Sequence, residues 1–162
     1  IASKGIYYEP YSITKITSNN KEIYKHIIEG EKKLDESYCL VLSQLLTSTF
    51  HKDLNGTMAN YQVPSTFAAK TGTSDWDSWL VAYDPTLTLV MWSGYDDNRP
   101  LDYTSQTINR QTFQDVFSSY TQTHWFKPNK DIVQIPIDLK TQKMAQEGAI
   151  YWFYQTGSKL KL

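Results

Sequence analysis

Apolar residues recur at helical spacing in one stretch of the first third of the chain. The stripe is made of Tyr38, Val41, Leu42, Leu45 and Leu46. Residues spaced at i, i+3, i+4, i+7 and i+8 lie on one face of an α-helix. Asp35, just before the stripe, is of a type that caps helix N-termini. The pattern therefore predicts a helix over residues 36–51, and Asn55 and Gly56 mark the loop beyond it.

Three runs of β-favouring and apolar residues follow in close succession. They cover residues 66–73, 78–83 and 87–95, and short polar turns separate them. Parallel strands need a crossover of about a dozen residues or more, so these short turns predict an antiparallel meander. Residues 87–95 are apolar at both alternating sets of positions. That pattern predicts a central strand that is covered on both faces.

Extended chain is predicted at both ends, with one further helix between. Residues 6–28 favour extended segments around a turn at 18–21. A second apolar stripe predicts a helix over residues 104–122 that lies on the sheet. Its members are Ile108, Phe113, Val116, Phe117 and Tyr120. From Lys127 the chain favours peripheral extended segments. They end in an aromatic tail at residues 151–154, which includes Trp152 and which we expect to pack on missing parts of a larger protein.

These elements predict an α/β fold in the broad sense, of the α+β type: an antiparallel sheet flanked by helices. Residues 1–126 would hold the meander and its packing helix. Residues 127–162 would form a C-terminal extension on the periphery. The chain starts at Ile1 without an initiator Met, and we expect it to be a piece of a longer polypeptide.

The composition narrows the classes of partner, metal site and cofactor that the chain could have. The 162 residues carry 16 basic and 17 acidic side chains, dispersed along the chain, for a net charge of −1. Such a balance argues against a nucleic-acid partner. The lone cysteine, Cys39, excludes an internal disulfide and a cysteine-cluster metal site, and its apolar surroundings predict a buried core residue. The three histidines are scattered, so we expect no metal and no cofactor.

The stretch Lys70-Thr71-Gly72-Thr73-Ser74 is the most informative for chemistry. It is not a phosphate-binding P-loop, because both glycines of that motif are missing: Pro64 and Ala69 stand in their places. A solvated edge strand remains a possible interpretation. A cationic side chain on a cleft wall favours an anionic ligand, and hydroxyls at alternate strand positions point to the same side. A glycine between them gives room for a close approach by another chain.

Wider similarity surrounds this motif. The segments KTGTS at 70–74, DSWLVAY at 77–83 and WSGYDD at 92–97 resemble class A, bifunctional penicillin-binding proteins of Gram-positive bacteria. Residues 2–11 and 56–59 resemble the same family. The similarity covers most of the chain and is looser in the aromatic tail.

The resemblance implies the penicillin-binding and serine β-lactamase-like transpeptidase fold, incomplete in this chain, and acyl transfer from a D-Ala-D-Ala stem peptide. Lys70 and Thr73 would be catalytic. Lys70 would support the hydrogen bonds around a Ser-x-Asn serine, and the Thr73 N–H would be half of an oxyanion hole. Substrate or β-lactam would be bound by Thr71, Gly72, Thr73, Ser74 and Trp76. Packing of Trp76 on its own hairpin is an equal alternative.

Two elements of the family, Ser-x-x-Lys and Ser-x-Asn, have no match at the expected place in this chain. Ser18-Asn19-Asn20-Lys21 formally matches both Ser-x-x-Lys and Ser-x-Asn, but it falls in a predicted turn far from the expected place. We therefore expect the isolated chain to be inactive. Its partners would be an N-terminal part of the same domain that carries those two motifs, stem peptides and β-lactams. The location would be the extracytoplasmic face of the membrane, with an anchoring helix outside this chain.

Two other functions stay open at this point. One is a non-catalytic module that binds cell-wall peptide or glycan through an exposed strand edge and aromatic side chains. The other is a relative of the D,D-carboxypeptidases or β-lactamases, which share Lys-Thr-Gly but fit the segments at 79–83 and 92–97 less well.

Overall fold

A computed structural model describes residues 1–155, and its strands and two α-helices follow the predicted order closely. In chain order the elements are β1 (Ile6–Tyr8), β2 (Lys15–Ser18), β3 (Lys21–Lys25), β4 (Gly30–Lys32), α1 (Glu36–Leu46), β5 (Ala68–Thr73), β6 (Asp77–Tyr83), β7 (Thr88–Gly94), α2 (Tyr103–Phe117), β8 (Ile132–Asp138), β9 (Lys143–Met144) and β10 (Ala149–Tyr154). Short 3-10 turns occupy Thr47–Phe50 and Lys52–Leu54.

The predicted meander is confirmed: β5, β6 and β7 form an antiparallel sheet in that order. The prediction that the third strand is central is wrong for the described residues, where β6 is central and β7 lies at the edge. Both faces of β7 are apolar, and α2 covers one of them. On the other face Val90 and Trp92 are 58% and 47% exposed. The sequence pattern therefore indicates that both faces are apolar, but it does not indicate what covers the second face.

The main core lies between the sheet and α2. Phe113 and Phe117 of α2 pack on Phe67, Leu80 and Ala82. Asp102 caps α2 by accepting a hydrogen bond from the Ser105 N–H. The helix ends at Phe117 rather than at the predicted 122. The chain turns there because Tyr120 and Gln122 are held by hydrogen bonds to Asp84.

A second core forms around α1, which begins as predicted. Asp35 caps the helix by accepting the Ser37 N–H at 2.8 Å, and the α-helix continues as the 3-10 turn at Thr47–Phe50. Leu40 packs against Tyr83 of the meander and Trp152 of β10. Cys39 is buried, as predicted.

The C-terminal segment is more ordered than predicted. It forms a second antiparallel sheet in the order β10-β8-β9. The expectation that the aromatic tail packs on parts outside this chain is wrong for Trp152, which is 7% exposed and lies against α1. Phe126 and Ile132 share one cluster, so the predicted division at 126 runs through a common core. That division stays a prediction.

Residues 6–32 form an arm with exposed apolar side chains. β1 pairs with β4, and β2 pairs with β3 across a tight turn. Asn19 and Asn20 both have positive φ, which suits a two-residue hairpin turn. The predicted turn at 18–21 is therefore confirmed.

Candidate functional site

The outer edge of β5 is the edge that is not paired with β6. Alternate residues direct their backbone N–H and C=O groups to this edge. Consecutive residues of an antiparallel ladder direct their N–H and C=O groups to opposite sides. The Ser74 N–H bonds the Asp77 carbonyl, on the β6 side. The Ala69 carbonyl accepts the Thr49 hydroxyl at 2.6 Å, on the outer side. The backbone N–H and C=O groups of Ala69, Thr71 and Thr73 therefore point outward. The Thr73 N–H is one of these groups and points away from the sheet.

Lys70 brings a positive charge to this edge. Its ammonium donates to the Thr71 carbonyl at 2.5 Å, so it lies on the outer side of the strand. The side chain is exposed, and the ion pairs found within residues 1–155 do not include it. The charge is therefore not neutralised by a carboxylate of the described chain, and it raises the local potential for an anionic ligand.

Thr71 and Thr73 share one face of β5, as predicted, but their access to solvent differs. Thr71 is 8% exposed, and its hydroxyl oxygen lies 2.9 Å from that of Thr57. Thr73 is exposed at the end of the strand. A ligand that approaches the edge meets the Thr73 hydroxyl directly and reaches Thr71 only beside its partly buried bond to the exposed Thr57.

Gly72 lies on the opposite face, and the described chain does not require its missing side chain. A Cβ added there would meet only the Trp79 Cβ, at an ordinary 3.5 Å. Packing within residues 1–155 therefore tolerates a methyl group at this position. The absence of one keeps the strand bare beside Lys70, where another chain or a ligand can approach closely.

Ser74 and Trp76 form the tight turn after the strand. The Ser74 hydroxyl accepts the N–H groups of Trp76 at 3.2 Å and of Asp77 at 2.9 Å, so it is used to fix the turn. Trp76 is 43% exposed at the same end of β5 as Thr73. The Leu101 N–H bonds the Asp75 carbonyl at 2.6 Å, which ties the following loop to this turn.

A buried polar network behind Thr73 was missed by sequence reasoning. Thr73 is paired in register with Ser78, whose carbonyl accepts the Asn109 side-chain amide at 2.7 Å. Asn109 in turn accepts the Ser93 hydroxyl at 2.6 Å. The network locks α2 to β6 and β7 at the end of the site. Its members are far apart in sequence, and no local pattern joins them.

One face of the meander is apolar and open. We call it the open face; it consists of Gly72, Trp79, Val81, Val90 and Trp92. Trp79 and Trp92 lie 6.2 Å apart between ring centroids and are 45% and 47% exposed. Lys70 pairs with Val81, so its stem starts on this face. The structure thus brings Lys70 and a broad apolar surface together.

The string Ser18-Asn19-Asn20-Lys21, which formally matches Ser-x-x-Lys, does not lie at the candidate site. Ser18 and Lys21 face each other across the turn between β2 and β3, in the arm. Two more strings match Ser-x-x-Lys. Ser12 to Lys15 runs into β2, so it is not helical, and Ser158 to Lys161 lies outside the described residues.

No metal-ligand cluster and no membrane-spanning helix occur within residues 1–155. No three His, Cys, Asp or Glu side chains among residues 1–155 are grouped so that they could hold a metal ion. Within the same range, neither helix combines the length and the apolar character that a bilayer span needs.

Comparison with known proteins identifies relatives of this geometry. The chain is 30% identical over 154 residues to penicillin-binding protein 2D of Bacillus subtilis, a match of 87% of this chain and 22% of that protein. It is 27% identical over 156 residues to penicillin-binding protein 1F of the same organism, 88% of this chain and 21% of that protein. The chain thus spans about a fifth of the length of these curated relatives. No protein-family model matches it.

The fold has a solved counterpart. The structure superposes on penicillin-binding protein 1A from Haemophilus influenzae with a TM-score of 0.72, over 98% of this chain and 31% of that one. Sequence identity in that pair is 17%, so this likeness shows the fold alone. Together with the Bacillus matches, it makes the chain a homologue of the C-terminal parts of class A penicillin-binding proteins, with the penicillin-binding-protein transpeptidase fold.

Proposed function

We propose that this chain supplies the Lys-Thr-Gly wall of a serine-type D-Ala-D-Ala transpeptidase. The nucleophile would come from an N-terminal companion part that carries Ser-x-x-Lys and Ser-x-Asn. The observation that carries the proposal is the outer edge of β5. There the Lys70 ammonium, the exposed Thr73 hydroxyl and the outward Thr73 N–H lie along the same strand edge.

Each group has a chemical role in the proposed reaction. The companion serine attacks the carbonyl of the D-Ala-D-Ala bond as a base of the companion takes its proton. The Thr73 N–H and the N–H of that serine stabilise the oxyanion. The C–N bond breaks, and the departing D-Ala amine gains a proton. An amine of a neighbouring stem then attacks the serine ester, which forms the cross-link and returns the proton to the serine.

Anion recognition falls to Lys70, Thr71 and Thr73. The terminal carboxylate of the stem peptide, or that of a β-lactam, would accept hydrogen bonds from the threonine hydroxyls beside the Lys70 charge. Charge-assisted bonds of this kind are about twice as strong as neutral ones. Gly72 leaves the strand bare for the ligand, and Trp76 borders the site. The Ser74 hydroxyl holds the turn, so its contribution is to position Thr73.

The open face supports a companion part as the partner. Half-exposed Trp79, Val90 and Trp92 form a contiguous apolar surface on a sheet, and surfaces of this kind in soluble proteins mark interaction sites. Because Lys70 begins on that face, a companion that covers it brings its serine next to the Lys70 ammonium. A cell-wall substrate of this class supports the extracytoplasmic face of the membrane as the location of the assembled protein.

A fluorescent penicillin tests the proposal. The isolated chain should remain unlabelled, and the longest natural polypeptide that contains these residues should be labelled covalently on a serine outside them. Covalent labelling of the isolated chain would contradict the division of roles. Absence of labelling in the longest polypeptide would contradict the transpeptidase function itself.

The open face and the strand edge also favour a second function, that of a non-catalytic module for cell-wall peptide or glycan. Exposed Trp side chains are common in sites that bind through stacking and apolar contact. Binding of soluble stem peptide or glycan by the isolated, monomeric chain would favour this module. Loss of binding without the companion favours the transpeptidase.

A further inference from the structure

The segment around Thr57 is built to a fixed position against β5. A side chain at Gly56 would collide with the backbone carbonyls of Ser48 and Thr49, so the chain approaches the 3-10 turn as closely as glycine permits. On the other side, the Met58 N–H bonds the Thr49 carbonyl at 2.9 Å, and its side chain is fully buried in the main core. Thr57 is therefore held from both neighbours.

From this position the Thr57 side chain reaches Thr71, one of the two threonines proposed to bind the carboxylate. The Thr57 hydroxyl oxygen lies 2.9 Å from that of Thr71. Thr71 is nearly buried, so its hydroxyl has little access to bulk water with which to exchange this partner. A hydroxyl has one proton to donate and lone pairs to accept with. The direction of this one bond therefore decides whether Thr71 offers a ligand its proton or its lone pairs.

We propose that Thr57 is a positioning residue for carboxylate recognition, an inference that rests on the proposed function. Thr57 donates to the Thr71 oxygen and leaves the Thr71 proton for the ligand. A hydrogen bond to a carboxylate is stronger than one between two neutral hydroxyls, so an anionic ligand favours this direction. The resulting chain, from Thr57 to Thr71 to carboxylate, is strengthened because each bond polarises the next.

A purely structural role for the pair makes a different prediction. If the hydroxyl bond only held the strand in place, its loss would slow every acylation to the same degree, whether or not the ligand carries a carboxylate. If Thr57 directs the Thr71 proton, its loss affects only ligands with the carboxylate. The two roles therefore separate in the ratio of two rates.

The test measures acylation of the longest natural polypeptide by benzylpenicillin and by its methyl ester, which lacks the anionic charge. Thr57→Val should lower the acylation efficiency of the free acid by about tenfold and leave that of the ester unchanged. Thr57→Ser keeps the hydroxyl and should retain the preference for the acid. Thr107→Val is the matched control, since the Thr107 hydroxyl lies on α2 and bonds only carbonyls of its own helix.

Two further measurements keep the outcome decisive. In a Thr71→Val background, Thr57→Val should have no additional effect on the acid-to-ester ratio. Should Thr57→Val fail to fold, Thr57→Ala answers the same question by the same ratio. An equal loss with acid and ester, or an unchanged ratio, overturns the positioning role. A natural protein that reacts with neither compound overturns the proposed function, and with it this inference.

Discussion

Thr73 and Ser78 stand directly opposite each other across β5 and β6, and Ser78 is tied to α2 through the buried Asn109 amide. The strand end that presents the proposed oxyanion donor is therefore fixed from behind by a helix. This arrangement suits catalysis, because a donor that is held in place needs no reorganisation when charge develops.

Asn109→Leu should destabilise the fold, because the Ser78 carbonyl and the Ser93 hydroxyl lose their buried partner. We expect the free energy of unfolding to fall by about 2–3 kcal/mol, measured by urea denaturation. Gln111→Ala, at an exposed position on the same helix, should change it by less than about 0.5 kcal/mol. An equal response to the two substitutions would contradict the role of the network.

Asp84 should make stability depend on acid pH. Burial alone raises the pKa of its carboxyl, but hydrogen bonds from Thr86, Tyr120 and Leu87 outweigh burial and hold that pKa below the ordinary value. A lowered pKa in the folded state means that the carboxylate contributes stability above its unfolded pKa of about 3.9. That contribution is lost as the pH falls through the lower, folded pKa.

Asp84→Asn tests this dependence by urea denaturation between pH 7 and pH 2. The variant should lose about 2 kcal/mol of unfolding free energy at pH 7 and show a flatter pH profile below pH 4. Asp96→Asn, exposed in the turn after β7, should keep the wild-type profile. A wild-type slope in Asp84→Asn would show that other carboxyls cause the acid sensitivity.

Lys70→Ala should reduce penicillin acylation of the longest natural polypeptide by about a hundredfold or more, the size typical of a lost electrostatic contribution in an active site. Its stability should change little, because the side chain is exposed. Rates of labelling by fluorescent penicillin measure the effect, with the exposed Lys140→Ala as control. Equal rates in the two variants would remove Lys70 from the proposed site.

Val90→Asp should weaken binding of the companion part by at least about tenfold, because a charge on the open face would have to be desolvated. Val116→Asp is the matched control: Val116 is 62% exposed on the outer side of α2 and Val90 is 58% exposed. Affinity between separately produced chain and companion is the measurement. A loss that is equal for both variants would point to a different docking surface.

Two glycines should respond differently to the same added methyl group: one substitution should lower stability, and the other should slow acylation. Gly56→Ala collides with backbone carbonyls and should lower the unfolding free energy by about 2 kcal/mol or more. Gly72→Ala meets ordinary contact distances, so the fold should tolerate it while penicillin acylation slows. Thermal unfolding and labelling rates, measured side by side, check both. Full activity in Gly72→Ala would show that the ligand does not approach that strand position.

The sequence was most informative where the determining interactions are local. Asp35 and the stripe behind it predicted the start of α1, because a cap and a helical face are set within a few residues. The turns around β6 predicted the meander for the same reason. The centrality of β7 failed, since periodicity reports that Val90 and Trp92 are apolar and cannot report which chain covers them.

The site was predicted in part for related reasons. Lys70-Thr71-Gly72-Thr73 was found because its residues are contiguous, and the structure adds that they share a free strand edge. Thr57 and Asn109 act on that strand across loops and a helix, through contacts that no sequence spacing indicates. The burial of Trp152 against Leu40 was missed for the same reason, because it depends on how two distant segments meet.

The hydroxyl of Thr49 has a consequence for any peptide that adds to β5 as a further strand. Because it already occupies the Ala69 carbonyl, and the Lys70 ammonium occupies the Thr71 carbonyl, the backbone groups left for pairing along this edge run from the Thr71 N–H to Thr73. Such an interval suits the last residues of a short peptide and is too brief for the middle of a long strand. The same interval gives other copies of the chain little edge on which to polymerise.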